Sequence, residues 1–222
     1  MKDIIIDGFR NLHVAVQAWS RDVVIYRGVR SVEYELNPKI GRYKLLHTDD
    51  RRSEELRILR LFKEQSIPYL DVVPTSDWDW LAIGQHHGLP TRLLDWTRNP
   101  LVAAYFAVEN AHDEDSVIYA FHSNKYINTE KHKDPYDVSK VGRFIPRHVT
   151  QRITAQTGLF TIHPEPEADF RKDKRIQRLI IRQKIRKNLK DTLYKYGVHR
   201  ASLFPSLDGL SRHIEWLRTD VY

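Results

Sequence analysis

Apolar positions along the chain alternate between a spacing of three to four residues and a spacing of two, which predicts interspersed helices and strands. Phe9, Leu12, Val16 and Trp19 recur at helical spacing, predicting a helix over 9–19. Arg21-Asp22 interrupts it, and Val23-Val24-Ile25-Tyr26 predicts a strand ending at Gly28. Residues 28–50 show no period and read as loop. Ser53 with Glu54-Glu55 predicts a helix start, with Leu56, Leu59 and Phe62 as the apolar face and an end before Pro68. Ser76 is expected to cap a further helix containing Trp80, Leu81 and Ile83. Gly88 and Pro90 stop that helix, and 91–96 is expected to be extended.

Further along, Thr97 or Asn99 caps a helix with Pro100 at its first position. Residues 101–109 are alanine-rich and apolar almost all round, so this helix should be buried. Residues 116–121 predict a strand. A segment from Val149 to Ile162 predicts a helical turn and then a strand around Gly158-Leu159-Phe160. Residues 176–181 alternate as a half-buried strand, and 184–196 form a helix stopped by Gly197. A short strand at 201–204 and a helix after Pro205-Ser206 close the chain. Strands and helices mix without a strict βαβ rhythm, so the expected fold class is α+β (mixed α/β), in one domain over residues 1–222.

Composition narrows this picture. Hydrophobic residues make up 41% and charged residues 29% of the 222, enough to build a core. No apolar run approaches the roughly 18 residues of a membrane span. The chain has no cysteine, which removes disulfides, thiolate metal sites and cysteine nucleophiles together and fits a cytoplasmic, reducing setting. The net charge of +7 suggests a phosphate-bearing or acidic partner. Arg171, Lys172, Lys174, Arg175, Arg178, Arg182, Lys184, Arg186, Lys187 and Lys190 crowd 171–190 against a single acid, Asp173. That tract reads either as a solvated face or as a surface for nucleic-acid phosphates.

Two places could hold chemistry. In the run from Gln85 to Thr97, Gln85, His86, His87, Thr91, Arg92, Asp95 and Thr97 are interleaved with Leu89, Leu93, Leu94 and Trp96. Such a run can build an active site, or Arg92 and Asp95 can simply pair in the core. Arg27 follows three strand formers and precedes Gly28, so an anion could meet both the guanidinium and the bare backbone, or Arg27 could close a strand-end salt bridge. Adjacent His86 and His87 point about 100° apart on a helix and chelate poorly, so no metal is expected. Neither a standard phosphate loop nor a Gly-x-Ser-x-Gly elbow is present.

Tyr26-Arg27-Gly28 resembles the Phe-Arg-Gly signature of the FRG domain family, with Tyr for Phe. Gln85-His86-x-Gly88-Leu89-Pro90-Thr91-Arg92-Leu93-Leu94-Asp95-Trp96-Thr97 resembles that family's central motif. Arg152-Ile153-x-Ala155-Gln156-x-Gly158-Leu159-Phe160 and 202–210 resemble its later blocks, and the likeness spans about residues 20–217. The layout is similar to the ADP-ribosyltransferase superfamily, which implies a split or mixed sheet flanked by helices. There a first strand brings an Arg, His or Tyr, a second ends in a polar motif before a helix, and a third brings a glutamate. Arg27, Asp95-Trp96-Thr97 and Gln156 match in turn, with no glutamate in the third place.

The resemblance implies transfer of ADP-ribose from NAD, as substrate, to a macromolecule such as RNA, in a toxin or phage-defence effector with a neutralising antitoxin protein. Asp95 would stabilise the ribose cation, Arg27 would meet the pyrophosphate, and His86 or His87 would bond the ribose or act as base. Tyr26 and Trp96 would stack on nicotinamide or a target base. Gly28, Thr91, Arg92 and Thr97 would complete the NAD site, with Gln156 in the glutamate's place. A nucleotide- or nucleic-acid-binding module without catalysis and an NAD-hydrolysing enzyme are the alternatives.

Overall fold

The computed structural model describes every residue except Met1, Arg21, Asp22, Asp49, His148, Val149 and Asp220. Its strands are β1 (Ile4–Ile6), β2 (Val24–Val29), β3 (Leu93–Thr97), β4 (Ser116–His122), β5 (Gly142–Phe144), β6 (Gly158–Ile162) and β7 (Ile176–Ile181). They form one sheet in the order β1-β7-β4-β2-β3-β6-β5, antiparallel except for β1 beside β7. The helices are α1 (Phe9–Gln17), α2 (Arg51–Ser66), α3 (Asp77–His86), α4 (Pro100–Val108), α5 (Gln151–Ala155), α6 (Arg186–Lys195), α7 (Arg200–Leu203) and α8 (Leu207–Arg218). The mixed α/β class is therefore as expected.

The ladders are uneven, and that unevenness positions the site. β2 pairs with β4 over six residues, and β3 pairs with β6 over five. Between β2 and β3 a single pair, Tyr26↔Thr97, holds, and beyond it the strands part. On one face of the β2 side, Val24 and Tyr26 pack with α4 residues Val102, Ala103 and Ala107 and with Leu189 of α6. On the β3 side, Leu93, Phe160 and Ile162 pack with Leu59 of α2 and with Trp78 and Leu81 of α3. The opposite sheet face carries Ile25, Leu94, Trp96, Tyr119, Phe121, Leu159 and Phe170.

Local signals explain most elements. Ser76 accepts a hydrogen bond from the Asp79 amide at the start of α3. Asn99 accepts from the Leu101 amide, with Pro100 next, and α4 is buried as expected. Gly197, at φ 76°, ends the stretch after α6.

Several expectations need correction. α2 is capped by Asp50, not Ser53; Leu59 and Phe62 face the core as expected, joined there by Glu55, whereas Leu56 is exposed. β7 is buried on both faces because Leu179 and Ile181 meet the α4–α6 layer while Ile176 and Ile180 meet the other. The strand expected at 201–204 is helix α7: His199 Nδ1 accepts from the Ser202 amide and Ser202 Oγ accepts from the His199 amide, a reciprocal cap that nucleates a turn. Three-residue β1 and β5 are too short to show a period. The break at Arg21-Asp22 and the segment start at Val149 lie outside the described residues.

Candidate active site

Where β2 and β3 part, a cavity of about 690 Å³ opens, within the range of small-molecule sites. β2 supplies Tyr26, Arg27 and Gly28; the end of α3 supplies Gln85, His86 and His87; β3 supplies Asp95, Trp96 and Thr97. Phe106 of α4, Arg152 of α5 and the turn from Gln156 into β6 complete the wall. Asp95 is the carboxylate among the described residues lining it.

Asp95 is held from two sides. Gln85 Nε2 donates to its Oδ2 at 2.7 Å, and Arg27 Nη1 donates to its backbone oxygen at 2.8 Å and lies 3.5 Å from Oδ2. Gln85 is itself fixed by Thr91, whose hydroxyl donates to Gln85 Oε1 at 2.7 Å. The Asp95 side chain remains 52% exposed, so a carboxylate oriented by its neighbours faces the cavity. Arg27 Nε is buried without a hydrogen-bond partner among the described residues.

The three other groups expected to act in catalysis also lie on the wall. His86 Nε2 sits 3.4 Å from the Thr150 hydroxyl. Burial first, then the Arg152 and His87 charges, lower its pKa to about 4, so the imidazole is neutral near pH 7. His87 is exposed and packs edge-on against His86. Gln156 ends α5; its backbone oxygen accepts from Thr97 Oγ1 at 2.7 Å, and its Nε2 donates to the Leu203 oxygen at 3.0 Å. Next to it Thr157 has φ 50°, a left-handed conformation costly for a β-branched residue, and it turns the chain into β6.

Four expected ligand contacts are otherwise engaged. Arg92 is buried, forms a bidentate pair with Glu55 at 2.8 Å on both arms, and lies 4.6 Å from the Tyr136 ring. It therefore neither pairs with Asp95 nor reaches the cavity. Thr91 is also buried and acts through Gln85. The Trp96 indole is committed to the opposite face, against Phe121 and Phe170, with Nε1 donating to Thr161 Oγ1 at 2.8 Å. The room left by Gly28 is filled by α4, since a Cβ there would lie 1.8 Å from the Ala103 oxygen. Close helix–strand packing, rather than the approach of a phosphate, requires that glycine.

Tyr26 is buried and stacked on Trp19, and burial pushes its hydroxyl pKa up to about 12. The accessible aromatic wall is Phe106, which sequence reading placed in the core because α4 is apolar almost all round. Gln85 and Arg152 were given no role either, although both lie inside the quoted motifs.

The basic tract is largely neutralised. Arg171 pairs with Asp169, Arg175 with Asp173, Arg178 with Asp3, Arg182 with Asp115 and Lys184 with Asp7. Arg186 is buried, not exposed, and donates to the Arg30 and Asn110 backbone oxygens. Lys190 is buried too, donating to the Glu109 oxygen. Among the described residues no group of three or more His, Cys, Asp or Glu could hold a metal ion, and no helix is long and apolar enough to cross a membrane.

Compared with known proteins, residues 22–116 match the family model of the FRG domain. The matched segment contains Tyr26-Arg27-Gly28 and the whole Gln85–Thr97 run. No curated protein and no solved structure matches the chain.

Proposed function

We propose that this FRG-domain chain transfers ADP-ribose from NAD to a macromolecule. The observation that supports the reading most is the convergence of Arg27, Asp95 and the Gln156–Gly158 turn, from adjacent strands β2, β3 and β6, around one cavity at the parted joint. In this reading the nicotinamide–ribose bond breaks with its electron pair leaving on nicotinamide. Asp95, oriented by Gln85 and Arg27, faces the resulting positive charge on the ribose. Arg27 brings its guanidinium charge to the pyrophosphate, and Phe106 offers the stacking surface first expected of Tyr26 and Trp96. Gln156, whose amide is tied to Leu203, positions the third strand and leaves the charge work to Asp95.

A toxin or phage-defence role, with a protein that neutralises it, is part of the same reading. The test is incubation of purified protein with NAD labelled in the adenylate, with and without cell extract, followed by separate protease and RNase digestion. Label moving into a polymer, and lost in Arg27→Ala of unchanged melting temperature, supports transfer. Release of free ADP-ribose alone would make the chain an NAD hydrolase, and intact NAD would make it a binding module.

A further inference from the structure

A second depression, of about 680 Å³, adjoins the cavity and shares His86 and Arg152 with it. Arg200 and Arg212 line it, together with Phe204 and the start of α8 at Ser206. The guanidinium carbons of Arg152 and Arg200 each lie 4.6 Å from the centre of the Phe204 ring, which fixes two planar cations before any ligand arrives. Arg200 shares its charge with Glu109. Arg152 and Arg212 form no ion pair or side-chain hydrogen bond among the described residues; burial lowers the Arg152 pKa, partly offset by the more distant Asp95 and Glu109. Asp208 is the opposing carboxylate on this wall.

We infer that this groove is the acceptor subsite of the transfer proposed above, and that it binds the phosphodiester backbone of a single-stranded nucleic acid. The inference rests on that reading for the word acceptor, but not for the binding itself. Two guanidiniums with no direct ion pair at an open trough match a chain of phosphates. A duplex would keep its reacting atoms stacked away from the cavity, whereas a single strand can bend a nucleotide past His86. There an acceptor lone pair bonds to the ribose carbon as nicotinamide departs, and the acceptor proton passes to the neutral His86 imidazole. The ion-paired tract at 171–190 leaves Lys172, Lys174 and Lys187 exposed and scattered along the chain, with no cavity among the described residues gathering them.

The test is direct binding, without NAD turnover. Affinity for a short fluorescent single-stranded RNA is measured by anisotropy across a salt series for wild type, Arg212→Glu, Arg152→Ala/Arg212→Ala, and Lys174→Glu/Lys187→Glu as a comparison of equal or larger charge change. NAD affinity and melting temperature are read on the same preparations. We expect the groove variants to lose about tenfold in RNA affinity, and the double alanine variant to lower the salt slope by about 1.4, at roughly 0.7 per phosphate contact. The tract variant should lose less than either. The inference falls if folded groove variants bind RNA as wild type does, the outcome expected of an acidic protein partner. It also falls if the tract variant loses more, or if NAD affinity in Arg212→Glu, whose side chain lines the groove and not the donor cavity, drops as far as its RNA affinity, which would make the groove part of the donor site. RNA binding with no NAD turnover would fail the transferase reading and leave the groove standing.

Discussion

At the scale of the residue, the two charged pairs separate chemistry from scaffold. Arg92–Glu55 is buried, bidentate and roofed by Tyr136; Arg27–Asp95 is longer, half exposed and open to the cavity. Removing one partner of the first strands a buried charge, so Glu55→Gln should cost about 3–5 kcal/mol in chemical denaturation. Asp95→Asn keeps an oxygen for Gln85 and loses only an exposed charge, so stability should change by less than about 1 kcal/mol. On the transferase reading its NAD turnover should fall about 10²-fold or more, with NAD affinity kept. Equal stability losses in the two variants, or normal turnover in Asp95→Asn, would reverse the assignment. The sequence singles out Arg27, Arg92 and Asp95 but offers Asp95 as the partner of Arg92 and marks Glu55 only as a helix-start residue, because Glu55 lies 37 positions from Arg92 and only the packing of α2 brings them together.

At the scale of the element, β2 and α4 make one unit through Gly28. A methyl carbon added at Gly28 would stand 1.8 Å from the Ala103 oxygen and 2.7 Å from the Ala107 nitrogen. Both obstructing atoms are α4 backbone, so no side chain can swing aside. Gly28→Ala must lift the helix from the strand. We expect a loss of more than about 3 kcal/mol, above the usual range for overpacking, and a melting curve measured beside wild type checks it. A wild-type melting temperature would mean that α4 is not seated as described. The helices were legible because caps and apolar spacing are local: Ser76, Asn99 and Gly197 mark their ends in the sequence. The joint between β2 and β3 was not, since strand pairing is written in no single segment. Nor was helix α7, where Leu203 and Phe204 read as strand formers and the His199–Ser202 cap decided otherwise.

At the scale of the whole molecule, histidines kept neutral by burial contribute to the response to acid. His163 is buried, and burial first, then Arg27, lowers its pKa to about 3; His86 shifts the same way for the same leading reason. An unfolded chain takes up these protons near pH 6.5 while the folded one does not, so stability is full above pH 6.5 and is lost as pH falls toward the folded values. The His163 contribution should decline by about 1.4 kcal/mol per pH unit below 6.5. Urea titrations at pH 7, 6 and 5 measure the slope, which should flatten in His163→Gln; an unchanged slope would place the acid sensitivity elsewhere.

The same seven strands have a mechanical side. Six paired positions on one flank and five on the other make two stiff leaves, and the Tyr26↔Thr97 pair is the seam between them. A seam of one rung leaves the neighbouring backbone amides and carbonyls of β2 and β3 unpaired with each other, so the joint is held by side chains more than by the ladder. The cavity mouth lies on that seam, where the Arg27 guanidinium reaches across to Asp95 and the shared core of Ile25, Leu94, Trp96 and Phe121 backs the joint, so a side-chain clasp and a packed rear wall take over the fastening that a backbone ladder supplies elsewhere.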